Sequence, residues 1–428
     1  MKTTMKTLAV SVSLCLSLGA LADDIAITGA TVHTMSKQGT VENATVLVED
    51  GKIKSVKADG KVPRGYKQVD ASGKVITPGI IGAYTSLGLV EVEYSAGITD
   101  YSVKMEDADY LGTQIDVSYA INPDSSLMDI ARIDGITSAV SGVSYTDTFF
   151  GGQGAVITLG DKTNPVLKSR AVMSIDLTGD AAEGVAGGSR AILWPKFMAV
   201  LAQAASLKGK ALEQDDEWEG DLSRADVNAL LPVMSGDMPL LVSVKRLSDI
   251  RNLLTVKGMY KDLDVVLLNP TEAWRIADEL AKHNIGVILD PENNLPYDFE
   301  QLGATLSNAA KLHAAGVTVA IGMNTHNIRL ATQHAGNAVA HGMPWQEGLA
   351  AITSNVAKLF GVDDQIGSLS KGKRADLVVW SGDPLEVMSY AENVIINGKE
   401  MPMESRQSKL RDRYLADPKG APYRYIKP

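Results

Sequence analysis

Few residues in this chain have the type and spacing to do chemistry. Glu91 and Glu93 stand two apart on a run that reads as extended, where both carboxylates would face one side; paired carboxylates can divide acid and base roles. A solvated loop is the competing reading. Lys245-Arg246 follows a strand-like run and would suit an anionic ligand such as a carboxylate. Gln153, Asn269, Glu272 and Arg329 are further polar candidates for a pocket. The six histidines are scattered. His33 lies in a β region and His283 ends a helix, where its charge suits the dipole. His313, His334 and His341 lie on helices and read as packing or surface positions. No Gly-x-Ser-x-Gly elbow and no His-Glu-x-x-His is present. Gly367-x4-Gly372-Lys373 imitates a phosphate loop, but Arg374 replaces the hydroxyl residue and a strand follows where a helix is required.

Composition narrows the rest. The chain has 428 residues, 45% hydrophobic and 21% charged, as expected for a globular protein with a sizeable core. Aromatics at 5% argue against a carbohydrate or single-stranded nucleic-acid platform. A net charge of −10 disfavours nucleic acid and anionic membrane as partners. Met1 to Ala22 reads as a cleavable secretory signal: Lys2 and Lys6 open it, an apolar run follows, and Ala20-Leu21-Ala22 matches a small-x-small cleavage site. The apolar run is short for a membrane anchor. A periplasmic address is therefore expected. The single cysteine, Cys15, lies inside that segment, so cleavage leaves no thiol for catalysis or metal binding. The tail from Glu404 to Pro428 is locally basic and reads as docking on an acidic body.

Two clusters of β runs sit at the chain's ends, within residues 23–77 and 366–403, suggesting one composite small domain. Between them, residues 78–365 alternate strand-like and helix-like segments. The expected strands are Ile80–Ser86, Ile136–Ser141, Ala155–Leu159, Val172–Ile175, Leu240–Val244, Val265–Leu268, Gly286–Leu289 and Val317–Gly322. Ala155–Leu159 also reads as a hairpin arm. The clearest helix is Thr271–His283, with Ala273, Ile276, Ala277 and Leu280 on one face. Eight runs suit an α/β (β/α)8 barrel, with its site at the strands' C-terminal ends.

Thr77-Pro-Gly-Ile-Ile-Gly-Ala-Tyr-Thr-Ser86 resembles the first barrel strand of the amidohydrolase superfamily, where Pro-Gly-Leu/Ile-Ile-Asp-x-His-x-His supplies two metal ligands. Gly367 to Trp380, Val46 to Val56, Gly151 to Ile157, Asn122-Pro123, Ala131-Arg132 and Gly135 to Ser138 extend the resemblance, toward the periplasmic imidazolonepropionase-like branch. It implies a TIM-like barrel with a composite β-sandwich formed by both chain ends. It also implies a divalent metal that activates water. On that alignment the histidine positions of the first strand fall on Tyr84 and Ser86. Those of two middle strands fall on Ser243 and on Leu268 or Asn269, and the closing aspartate falls on Asn324, with His326 just beyond. Hydroxyls and amides are poor zinc ligands, and an amide cannot accept a proton as a carboxylate does.

The expectation is therefore a C–N hydrolase fold with no metal or other cofactor. Asn324 and His326 are the candidate catalytic groups; Tyr84, Ser86, Ser243, Lys245, Asn269 and Gln153 are the candidate ligand-binding ones. Such a chain would bind a small molecule, which Lys245-Arg246 would suit if anionic, or serve as a partner subunit, pairing with itself or with a His-complete amidohydrolase. The alternative is a working hydrolase of a small amide, cyclic amide or dipeptide-like substrate, with an altered or metal-free site.

Overall fold

The structure, a computed structural model, describes residues 24–91, 99–104, 111–323 and 325–415. The segment read as a secretory signal, Glu93, Asn324 and the end of the basic tail lie outside the described residues. Of that tail, Arg406–Leu415 is an exposed helix.

Both ends of the chain build one eight-stranded sheet. Its order runs Lys399–Glu400, Ala391–Ile396, Leu377–Trp380, Val75–Pro78, Ile25–His33, Thr40–Glu49, Lys52–Ala58, with Lys67–Asp70 also paired to Ile25–His33. The alternating apolar residues of these strands (Ile25, Ile27, Val46, Val48, Ile76, Leu377, Val379 and Ile395) close into their own core. Asp376 ties the sheet to the barrel. Its carbonyl accepts Gly79 N–H at 2.9 Å. Its buried carboxylate takes Arg374 Nε at 3.0 Å and Asn397 N–H at 2.7 Å.

The second sheet has eight strands in the order Ile80–Thr85, Ile136–Ser141, Phe150–Thr158, Val166–Asp176, Leu240–Ser243, Val265–Leu268, Gly286–Leu289, Val319–Ile321. It rolls into a nearly closed α/β barrel, flanked by helices such as Arg190–Ser206 and Leu247–Met259. The first and last strands meet through residues 351–352. Ala351 O accepts Ile321 N–H and Ile352 O accepts Ile81 N–H, each at 2.9 Å. At this seam Gly322 is needed, since a Cβ there would stand 2.8 Å from Ala83 Cβ.

Seven strands are parallel; Phe150–Thr158 runs antiparallel to both neighbours. No helix separates it from the fourth strand. Instead a tight hairpin does, in which Asp161 Oδ1 accepts Thr163 and Asn164 N–H at 2.8 and 3.0 Å. The hairpin arm is thus also a barrel strand, and the order departs from strict β/α alternation here. The expected helix Thr271–His283 is likewise divided, into a 3₁₀ turn Ala273–Ile276 and an α-helix Ala277–Lys282. Ile276 at φ −134° breaks the run. The four residues of the apolar face are nevertheless all buried.

Among the described residues no helix is long and apolar enough to cross a membrane.

Candidate functional site

The strand order brings the C-terminal ends of the parallel strands, and the N-terminal end of the reversed one, to one mouth. Two cavities open there. The larger, about 450 Å³, is lined by Tyr84, Phe149, Gly151, Ser174, Asp176 and Ser243, among others. The smaller, about 280 Å³, is lined by Lys245, Asn269, Thr271, Asp290, Asn293, Gln301, Asn308 and Thr325.

Tyr84 ends the first strand wholly inside the protein. Its Oη donates to Val143 O at 3.0 Å. Burial pushes its pKa up to about 12, against a smaller opposing hydrogen bond with Ser174. The phenol therefore stays protonated at neutral pH. Asp176 ends the fourth strand in the same cavity. Burial raises its pKa; hydrogen bonds from Thr178 and the charge of Lys245 oppose that rise, and Asp180 adds to it. Ser243 ends the fifth strand opposite Asp176 in the sheet register.

Asn269 follows the sixth strand with a left-handed backbone, φ +53°, which asparagine tolerates better than most residues. Its N–H donates to Ile288 O at 2.8 Å, and its side chain turns into the smaller cavity. Lys245 and Arg246, read as an anionic-ligand site, are already paired. Lys245 Nζ reaches Asp298 at 2.9 Å and Asp180 at 3.5 Å. Burial alone would lower the Lys245 pKa, but the bond and charge of Asp298 hold it above the usual value. Arg246 clasps Asp249 at 2.7 and 3.1 Å.

The remaining candidates lie elsewhere. Gln153 is buried in the barrel wall, where its Nε2 donates to Thr113 O at 2.8 Å. Ser86 is buried, and its carbonyl takes Leu89 N–H. Glu272 braces two loops, accepting Leu247 N–H at 2.9 Å and Gly303 N–H at 3.0 Å. Glu91 is bonded by Asn122. His326 and Arg329 line a different hollow, with Asp134, Ser126 and Ser405.

One cluster has no signature in the linear sequence. Asp290 ends the seventh strand, Glu292 follows it, and His334 comes from the helix Ala331–Ala340; each offers one ligand atom within 4.8 Å of the others. His334 Nδ1 lies 2.8 Å from Glu292 Oε1, and Asn337 Nδ2 bonds the same oxygen at 2.6 Å. Forty-odd residues separate the histidine from the carboxylates, so no short motif could reveal it. Three such ligands are the number a catalytic zinc uses.

A barrel closed by its own C-terminal segment, beside a sheet shared by both chain ends, defines the amidohydrolase fold. Residues 244–401 match the amidohydrolase family model. An amidohydrolase structure from Thermotoga maritima superposes with a TM-score of 0.77 at 26% identity, covering 88% of this chain and 99% of that one. Molinate hydrolase shares the fold alone, with a TM-score of 0.55 at 17% identity over 95% of this chain and 99% of that one. Curated relatives over most of the chain's length include imidazolonepropionases. The one from Maricaulis maris is 22% identical over 385 residues, 84% of this chain and 93% of the relative. The one from Brucella suis is 22% identical over 372 residues, 80% and 88% respectively.

The fold therefore implies a divalent metal at the strand ends. The side chains lining the two cavities there include a protonated phenol, a hydroxyl and an amide at Tyr84, Ser243 and Asn269 and carboxyls at Asp176 and Asp290, with no imidazole among them. At the positions that the resemblance assigns to metal ligands, a phenol, a hydroxyl and an amide do not fit the ion. The Asp290–Glu292–His334 cluster begins at the end of the seventh strand, where Asp290 lines the smaller cavity, and it offers one imidazole already engaged by Glu292.

Proposed function

We propose that this chain is a ligand-binding amidohydrolase-fold protein whose barrel mouth has given up metal-dependent C–N hydrolysis. The observation that carries this reading is Tyr84. Its hydroxyl is spent on Val143 O and held protonated by burial, at a position where the family's chemistry asks for a metal-binding imidazole. The two mouth cavities fit a small polar molecule. The secretory segment argues for a periplasmic setting, where the chain acts alone, as a homo-oligomer, or as the partner of a His-complete relative.

A second reading is favoured by Asp176. A carboxyl whose pKa is raised by burial, sharing a cavity with Ser243, is the kind of group that serves as an acid or base without metal.

The test is turnover of N-acyl amino acids and cyclic amides by the purified protein, with and without added zinc or manganese. No hydrolysis under either condition supports the first reading. Metal-independent hydrolysis abolished by Asp176→Asn supports the second. Hydrolysis that requires metal overturns both.

A further inference from the structure

The segment Gly367 to Lys373, which imitates a phosphate loop in sequence, is stitched to the terminal sheet. Leu369 N–H donates to Thr34 O and Gly372 N–H to Ile53 O, each at 2.8 Å, and Lys373 N–H closes on Ser370 O at 3.2 Å. Those donors are spent, so they cannot cradle an anion as the backbone of a phosphate loop does. The side chains of the segment are differently placed. Ser370 and Lys373 line an open hollow of about 520 Å³ where the sheet meets the barrel. Lys37 reaches it from the turn between Ile25–His33 and Thr40–Glu49. Ser354 and Lys358 reach it from the helix Ser354–Leu359, where a spacing of four puts both on one face.

Three lysines from three separate segments thus share one hollow, in a chain whose net charge is −10. None of the three forms an ion pair among the described residues. Lys373 is half-buried, and its Nζ has only neutral acceptors, Ser368 Oγ at 2.7 Å and Ile366 O at 3.5 Å. An ammonium carries three donors, so one is left for the hollow. Burial lowers the Lys373 pKa, against the more distant charges of Asp363 and Asp364. Partly buried cations without a counter-charge are unfavourable, and an anion seated among them would relieve the cost.

We propose that this hollow binds a small, multiply charged oxyanion of the phosphate type, free or as the end of a phosphomonoester. Lys37, Lys358 and Lys373 supply the charge, and the hydroxyls of Ser354 and Ser370 add neutral donors. Three point charges around one hollow match a compact dianion better than a single carboxylate. The site shares no residue with the two cavities of the barrel mouth, so it stands whether or not the mouth binds a ligand.

Calorimetric titration of the purified protein at fixed ionic strength, with inorganic phosphate, glycerol 1-phosphate and acetate, tests the assignment. One or both phosphates should bind more tightly than acetate, and the tighter one identifies the source. Lys37→Ala and Lys358→Ala, both at exposed positions, should each weaken phosphate roughly tenfold, the scale of one hydrogen bond to a charged group. Their melting temperatures in phosphate-free buffer should not change. Lys373→Ala should weaken binding as well; should it fail to fold, the two exposed variants decide. Lys162→Ala removes a surface lysine outside the hollow, paired with Asp124, and should leave the affinity as it was. Acetate binding as tightly as the phosphates would overturn the site, and so would no binding of either phosphate. Unchanged phosphate affinity in the Lys37 and Lys358 variants would overturn it too. An equal loss in Lys162→Ala would reduce the binding to general charge attraction and overturn it on that ground.

Discussion

Lys245 Nζ lies 2.9 Å from Asp298 Oδ2, so the cation at the end of the fifth barrel strand is neutralised by the loop that follows the seventh. Burial alone would raise the Asp298 pKa, but the bonds from Lys245 and Gln301 outweigh it and hold the carboxyl below its usual value. A carboxyl with a depressed folded pKa contributes stability above the unfolded value, near about 3.9, and loses it as pH falls through the folded pKa. Thermal melts of the wild type should therefore fall on acidification below pH 4 more steeply than those of Asp298→Asn. Parallel acid limbs would show that the pair contributes nothing.

Asp176 should behave in the opposite sense. Burial raises its folded pKa, so the stability it allows is complete below the unfolded value and declines as pH rises through the folded one. Asp176→Asn keeps an oxygen for the Thr178 N–H bond, which is 2.8 Å in the native protein. The variant's melting temperature should match the wild type near pH 3.5 and exceed it at pH 7. Melts across that range check the crossing, and a variant less stable at pH 7 would contradict the burial argument.

The sheet and the barrel are joined through a charge pair. Asp376 is 4% exposed, and Arg374 reaches both its carboxylate and Thr158 Oγ1. Removing one partner of a buried pair strands the other, at a cost of about 3–5 kcal/mol. Arg374→Met should lower stability by that order in urea denaturation. A loss below about 1 kcal/mol would mean that water reaches Asp376 and screens it.

Tyr84 is the fourth point of leverage. Tyr84→Phe keeps the ring and leaves Val143 O without its donor, so it should cost about 1–3 kcal/mol in stability. Gly142 lies so close to the Tyr84 ring that any side chain there would collide with it. Gly142→Ala should therefore destabilise as well, and the pair of variants should be non-additive because both act on the same ring. Additive losses in denaturant melts would separate the two residues.

Much of the barrel was legible in the sequence. Val265–Leu268 and Gly286–Leu289 are short apolar runs between turn residues, and strands with those bounds form. The reversed third strand was half-legible, because Ala155–Leu159 reads as both hairpin arm and barrel wall and is both. The division of the helix at Ile276 was not, since the apolar period is kept across the break. For the site, strand-end positions such as Tyr84, Ser243 and Asn269 could be placed from the strand pattern. What each touches could not. Asp176 and Asp290 look in sequence like ordinary acids after apolar runs, and only the sheet register brings them to the mouth. Lys245 read as a free cation because Asp298, its partner, comes from a loop more than fifty residues later.

The central claim is that hydroxyls and an amide at Tyr84, Ser86, Ser243 and Asn269 have replaced a metal centre. Metal analysis of the purified, dialysed protein tests it most directly. The account predicts far less than one equivalent of zinc or manganese, and no amide hydrolysis for a chelator to abolish. About one equivalent of tightly held metal, released by chelator together with hydrolytic activity, would contradict it.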